Sequence, residues 1–222
     1  MSRYQIILAD PPWRFNSRSH HGKSRFGLGA HGDYQGMAIQ DICKIPVWLV
    51  AEKNAVLFCW TTPSHHEDCY RVMRSWGFEP KTYGIVWVKT NRLSSTPVFG
   101  TGFYGKQCTE IAILGTKGKP QAPATNSLSS LIMQPRPMKA GNTEIWHSRK
   151  PVQVYEMIEA WYPEQTKLEL FARPPLRDGW VSMGNEVDGL DINEAIRRES
   201  GQYQPQVKPQ HLAETEQFSL FS

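Results

Sequence analysis

The sequence predicts an open α/β sheet covered by helices, and three observations carry that expectation. Short apolar runs recur along the chain, helix-like segments separate several of them, and Pro or Gly marks the joins. Ile6-Ile7-Leu8-Ala9 reads as a buried strand that stops at Asp10. Ala55 to Trp60 is a second strand, after which Pro63 opens a helix to about Trp76 that Gly77 can terminate. Ile85 to Val88 and Ile111 to Leu114 are further strands, separated by a loop carrying Gly100, Gly102 and Gly105. A helix from near Pro151 presents Val154, Ile158 and Trp161 on one face and leads to a strand, Leu168 to Phe171. The last strand is Trp180 to Met183. Residues 116–142 are polar and Pro/Gly-rich, the composition of a lid or a disordered segment.

A chain of 222 residues fits one core, expected over 1–198, with a flexible Gln/Pro/Glu-rich tail over 199–222. No apolar run approaches the ~18 residues of a membrane span. The apolar stretch after Tyr4 is too short for a signal-peptide core, so a cytoplasmic location is expected. Cys43, Cys59, Cys69 and Cys108 lack both zinc-site pairing and disulfide-scaffold density and read as reduced thiols. The formal charge of +4 permits a polyanionic partner without requiring one.

The most informative residues are Asp10-Pro11-Pro12-Trp13, at the carboxyl end of the first strand, where open α/β sheets bind their ligands. An exocyclic amine of a nucleobase is a poor nucleophile, because its lone pair is delocalised into the ring. Two acceptors on its hydrogens would polarise it. Asp10 supplies a carboxylate and Pro11 a backbone carbonyl, the prolines stiffen the turn, and Trp13 is expected to cover the base. A carboxylate with an ordinary pKa of about 3.9 cannot deprotonate a neutral amine. It orients the amine and accepts the proton that alkylation makes acidic. Positioning and electrostatics would carry the rate.

With the strand and turn come Val86-Trp87-Val88-Lys89-Thr90-Asn91, His147-Ser148-Arg149-Lys150-Pro151, Lys167 to Arg173, and Gly184-Asn185-Glu186. In this order, from about Tyr4 to Leu190, the sequence resembles the adenine-N6 methyltransferase family of the Asp-Pro-Pro-Trp class, typified by the catalytic subunit of the eukaryotic mRNA adenosine methyltransferase. Prokaryotic and phage members of that family modify DNA. The resemblance implies a Rossmann-like S-adenosylmethionine-dependent methyltransferase fold with permuted motif order, the amine-binding motif preceding the cofactor strand. It implies S-adenosylmethionine as cofactor, with Lys150 at its amino-acid end and Asn185 and Glu186 on the ribose hydroxyls. Phe171, Arg173 and Asp10 would complete the cofactor pocket. Three departures limit the transfer. Only nine residues precede Asp10, so the cofactor's adenine ring would be held differently. Pro175 and Leu176 replace polar ribose contacts, and Arg173 to Trp180 is too short for a helical crossover.

The loop from Arg14 to Met37 is basic and glycine-rich, and Arg14, Arg18, Lys23, Arg25 and Tyr34 are expected to contact phosphate or an extruded base. Lys89, Tyr104, His147 and Arg149 are the other expected substrate contacts. His20-His21 and His65-His66 lack partners at ligand spacing, so no metal is expected. DNA is the expected substrate; RNA, a cytosine amine and a non-catalytic nucleic-acid binder stay open, as does the choice of monomer or homodimer. The tail ends Gln217-Phe218-Ser219-Leu220-Phe221, an apolar cluster on a polar tether that resembles the peptide by which bacterial replication and repair proteins dock on the DNA sliding clamp.

Overall fold

The computed structural model describes residues 3–14, 36–100, 105–138 and 149–202. Seven strands are found among them: β1 Tyr4–Ala9, β2 Ala51–Thr61, β3 Glu79–Thr90, β4 Thr109–Lys117, β5 Leu131–Pro135, β6 Lys167–Leu170 and β7 Trp180–Met183. The helices are α1 Ile39–Lys44, α2 His66–Ser75, α3 Gln153–Trp161, α4 Asn185–Asp188 and α5 Ile192–Glu199. The strands form one sheet in the order β5-β3-β4-β2-β1-β6-β7. β1 lies between β2 and β6 and is parallel to both, whereas β4 runs antiparallel between β2 and β3.

The period-two pattern of the apolar strands splits the core between two faces. Ile7, Ala9, Leu57, Cys59, Ile113, Leu168 and Leu170 pack with Ile42 of α1, Val72 and Met73 of α2, and Ile192 and Ile196 of α5. Their neighbours Ile6, Leu8, Val56, Phe58, Trp60, Ile85 and Trp87 pack with Val154 and Ile158 of α3. Burying each such side chain contributes about 1.5–3 kcal/mol, so both strand faces are fixed and a one-residue slip is excluded. The crevice at the carboxyl ends of β1 and β6 lies where the flanking helices change face, the position at which α/β sheets bind ligands.

The expected elements are present, with β1 to β4 longer than read. The helix expected from Pro63 begins as a single 3₁₀ turn, Pro63–His65, before α2, and Gly77 leaves it at a φ of 87°. Two findings differ from the sequence reading. The strand expected through Phe171 ends at Leu170, because Phe171 turns left-handed at a φ of 63°. The segment 116–142 contains β5, which pairs parallel to β3 on the sheet's edge, where Pro135 forfeits no ladder hydrogen bond to a further strand. As the short spacing of Arg173 and Trp180 predicts, parallel β6 and β7 are joined through 171–179 without a helix. No helix of the described residues is long and apolar enough to cross a membrane.

Candidate active site

β1 delivers Asp10 to the crevice, and the two prolines then turn the chain tightly. The Trp13 N–H donates to the Pro11 carbonyl at 2.8 Å and the Met37 N–H to the Pro12 carbonyl at 2.7 Å. A carbonyl oxygen has two lone pairs, so Pro11 keeps one for a ligand. Trp13 is placed differently from the ring the sequence suggests. It belongs to the core at 5% exposure, donates its indole N–H to the Trp60 carbonyl at 3.0 Å, and stacks on His65. Its ring braces the turn instead of lying open to a base. Arg14 is exposed and offers its carbonyl to His65 Nε2 at 3.1 Å.

Behind Asp10 runs a chain of four charges contributed by separate parts of the fold. Lys89 Nζ, on β3, lies 2.6 Å from Glu110 Oε1 on β4; Glu110 Oε2 lies 3.1 Å from Lys150 Nζ; and Lys150 Nζ lies 2.6 Å from Asp10 Oδ2. Lys150 is read from sequence as meeting the cofactor's amino-acid end, and its ammonium is here held by two carboxylates over the Trp60 ring. Burial acts against the charge on Glu110, but the two ammonium groups outweigh it and hold this carboxyl down at about 2. Burial also works against Lys150, yet Asp10 and Glu110 push its titration above the ordinary lysine range. For Asp10 burial is the stronger effect: it lifts the carboxyl above its usual range, and Lys150 offsets only part of that. Asp10 is therefore a carboxyl with enhanced proton affinity, and Lys150 tethers one of its oxygens.

A cavity of about 640 Å³ opens beside this chain. The structure brings Asp10, Pro12, Arg149, Lys150, Phe171, Arg173, Asn185 and Glu186 to its wall. Arg173 Nε lies 3.1 Å from Glu186 Oε1, so these two expected cofactor contacts also pair with each other. Asn185 and Glu186 open α4 against the β6–β7 link, and Gly184 allows that approach, since a Cβ there would lie 2.6 Å from the Ala172 carbonyl. Pro11, Trp13, Arg14 and Lys89 do not line the cavity. Arg18, Lys23, Arg25, Tyr34, Tyr104 and His147 lie outside the described residues, as do Gln217, Phe218, Leu220 and Phe221.

Sequence reasoning misses Glu110 and a second polar pair on the wall. Tyr155 of α3 donates its hydroxyl to Glu169 Oε1 of β6 at 2.7 Å. Burial raises the titration of both groups, and the Glu169 charge raises that of Tyr155 further. Glu169 has a detectable signal, a carboxylate inside the apolar run Leu168-Glu169-Leu170. Glu110 has little: one acid at a strand entrance reads as solvated.

The MT-A70 family profile matches residues 4–186. The chain is 29% identical over 198 residues to the Type II methyltransferase M.MunI of Mycoplasma sp, an alignment covering 83% of this chain and 78% of that protein. It is 28% identical over 194 residues to the human N(6)-adenosine-methyltransferase catalytic subunit METTL3, covering 86% of this chain and 30% of the relative. An MT-A70-like N(6)-adenosine-methyltransferase of Arabidopsis thaliana is 28% identical over 200 residues, covering 89% and 26%. The chain thus spans about three quarters of the first relative and under a third of the other two. With the profile running from the first residues of β1 into α4, and so over every strand of the sheet, the chain belongs to the MT-A70 family.

Proposed function

We propose that this chain methylates the 6-amino group of adenine in DNA. The observation that carries the reading is Asp10, held by Lys150, on the wall of a cavity it shares with Arg173, Asn185 and Glu186. The MT-A70 family has a Rossmann-like methyltransferase fold, and its methyltransferases use S-adenosylmethionine as methyl donor. The wall fits that cofactor in size and chemistry. A cavity of about 640 Å³ suits a small-molecule ligand. Lys150 suits a carboxylate, Glu169 an ammonium, and Asn185 with Glu186 a ribose diol. When bound, the cofactor supplies an electrophilic methyl group.

The chain's own residues do the rest. Lys150 on Oδ2 leaves Asp10 Oδ1 to accept one hydrogen of the target amine, and the second lone pair of the Pro11 carbonyl accepts the other. Together they orient the nitrogen lone pair away from the ring. The nitrogen sheds a proton as it is alkylated, and Asp10 Oδ1 takes it, helped by the raised proton affinity that burial confers. Lys150 remains charged throughout and favours the carboxylate form of Asp10 against the burial that opposes it.

DNA is favoured over RNA by the end of the chain, Gln217-Phe218-Ser219-Leu220-Phe221, with its likeness to a sliding-clamp docking peptide. The enzyme would then act beside the replication machinery of a bacterial cytoplasm, as a monomer or homodimer. METTL3, an adenosine methyltransferase by name, motivates the RNA alternative. Transfer of tritiated methyl to single- and double-stranded DNA and RNA, followed by nucleoside mass spectrometry, decides among these readings. N6-methyladenine in DNA is expected; label in RNA alone, in cytosine, or nowhere would refute the proposal. The docking role is checked by fluorescence anisotropy of a peptide spanning 210–222 on purified bacterial clamp. Binding at tens of micromolar, lost when Gln217, Leu220 and Phe221 become alanine, is expected, and no binding at a few hundred micromolar, weaker than about −5 kcal/mol, refutes it.

A further inference from the structure

His65 stands at the carboxyl end of β2 and is only 8% exposed, yet it takes no part in the chemistry above. Its ring is engaged on three sides. Nε2 lies 3.1 Å from the Arg14 carbonyl, Nδ1 lies 3.1 Å from Thr62 Oγ1 and 3.2 Å from Ser64 Oγ, and the ring face stacks on Trp13 at 5.6 Å between centroids and 20° between planes. A carbonyl can only accept, so Nε2 carries the proton and donates, and in the neutral ring Nδ1 accepts from a hydroxyl. The local chain is built around this ring: the buried Thr61 hydroxyl donates to the His65 carbonyl at 3.1 Å, and the Trp13 indole N–H reaches back to the Trp60 carbonyl.

Of the two residues that His65 grips, Trp13 is also anchored by its burial in the core and by its indole N–H on the Trp60 carbonyl. β1 ends at Ala9, and beyond it the turn is held by the Trp13–Met37 bridge, the two turn hydrogen bonds and a close approach of Gly36 to Arg14. A Cβ on Gly36 would lie 2.6 Å from Arg14 Cα. The backbone on either side of 15–35 is thus brought together beside His65, three residues after Pro11 on one side. In the proposed chemistry the Pro11 carbonyl accepts a substrate hydrogen, and because the Trp13 N–H already bonds that carbonyl at 2.8 Å, its direction follows how Trp13 and Arg14 leave the turn.

We infer that His65 is a positioning residue for the Asp10-Pro11-Pro12-Trp13 turn, clamping its far end through the Arg14 carbonyl and the Trp13 ring and thereby aiming the Pro11 carbonyl into the site. The inference rests on the proposed amine chemistry only for its effect on rate; the clamp itself is a matter of structure and is measured separately. His65→Phe keeps a ring against Trp13 and removes both ring-nitrogen contacts. His65→Gln returns a donor near the Nε2 position, and His65→Asn returns polarity only near Nδ1.

The measurements are kcat and KM for methyl transfer, S-adenosylmethionine affinity by calorimetry, thermal midpoint, and hydrogen–deuterium exchange of peptides containing the Trp13 and Met37 amides. For His65→Phe, kcat should fall roughly 10- to 100-fold, the loss that a misplaced group in a positioned site produces. KM and cofactor affinity should stay within threefold, and the Trp13 and Met37 peptides should exchange at least tenfold faster while β2 peptides do not. Gln should recover most of both losses and Asn should not. The inference is overturned if kcat and exchange for Phe stay within twofold of wild type, if Gln is no better than Phe, or if exchange rises across the whole sheet. Should His65→Phe fail to fold, the comparison of Gln with Asn decides in the same way. Should the wild-type chain transfer no methyl to any nucleic acid, the proposed function fails, and the exchange of the two turn peptides still decides for or against the clamp.

Discussion

Glu110→Gln isolates the middle of the charge chain without changing its shape. In the folded chain the Glu110 carboxyl titrates near about 2 against an ordinary value of 4.5, because Lys150 at 3.1 Å and Lys89 at 2.6 Å outweigh its burial. A depressed carboxylate contributes stability that is whole above the unfolded value and is lost as pH falls through the folded one. The distance from 4.5 down to about 2, at about 1.4 kcal/mol for each tenfold change in proton affinity, puts an upper bound of about 3–4 kcal/mol on the contribution. At 20% exposure Glu110 is shielded enough for most of that to survive solvent screening, so the variant should be about 2–3 kcal/mol less stable at pH 7. In a chain of this size each kcal/mol is worth about 2–4 °C in thermal midpoint. The raised titration of Lys150 does not enter this window, since its contribution is lost only as pH rises above the ordinary lysine value of 10.5. Urea unfolding of both proteins at pH 7, 4.5 and 3, followed by tryptophan fluorescence, measures the gap. It should be full at pH 7 and close steadily below 4.5. A gap that is already absent at pH 7, or unchanged at pH 3, would show that the chain does not carry the stabilisation assigned to it.

Asp10→Asn keeps the shape of the amine acceptor but removes the proton acceptor and the Lys150 counter-charge, and it should slow methyl transfer by about two orders of magnitude in single-turnover assays. Glu186→Ala should weaken S-adenosylmethionine binding by roughly 1.5–3 kcal/mol in calorimetry, as expected for a charge-assisted contact. Its stability should move by less than about 1 kcal/mol, because the pair with Arg173 is well exposed, at 30% and 50%. Gly184→Ala drives a Cβ to within 2.6 Å of the Ala172 carbonyl, displaces the start of α4, and should cost cofactor affinity by the same assay with the transfer rate at saturation nearly kept. Neutralising Arg18, Lys23 and Arg25 together should lower DNA affinity and flatten its salt dependence without changing cofactor affinity; a slope equal to wild type would remove this loop from the interface.

The strands β1 and β2 are legible because Ile6 to Ala9 and Ala55 to Trp60 are continuous buried apolar runs at the centre of the sheet. β5 is hidden because an edge strand buries little: Ile132 faces the core while Leu131 and Met133 stay exposed, and Pro135 at its end reads as a break. α5 escapes notice for the opposite reason, since its many charges obscure Ile192, Ala195 and Ile196 on the buried face. At the site, residue type and position predict who stands near the crevice, but not which way each side chain turns. Trp13 follows a strand end and could face either the cavity or the core. What decides is the pairing of its indole N–H with the Trp60 carbonyl and the stack on His65, both made by residues about fifty positions away. Lys150 precedes a proline at a helix entrance, ordinarily an exposed place, and only the sheet order that sets Asp10 and Glu110 on either side explains its burial.

The short link between β6 and β7 shows how one local anomaly shapes the cofactor wall. Parallel neighbours usually need a crossover of about a dozen residues or more with a helix over the sheet. Here residues 171–179 suffice because the chain doubles back at once: Phe171 adopts a left-handed φ of 63°, and the Ala172 N–H closes on the Met183 carbonyl at 2.9 Å. With no helix in the link, the carboxyl ends of β6 and β7 stay uncovered, and Phe171, Arg173, Gly184, Asn185 and Glu186 reach the same cavity from both strands. A left-handed phenylalanine costs of order 1–3 kcal/mol, which a glycine at 171 would not. Phe171→Gly should therefore relieve backbone strain and lose a cavity wall in the same substitution. If the side chain is kept for the cofactor, the variant binds S-adenosylmethionine less tightly although its fold is no less stable. A variant that loses stability by several kcal/mol with unchanged cofactor affinity would mean that Phe171 serves packing, and that the link is strained for a reason other than the wall.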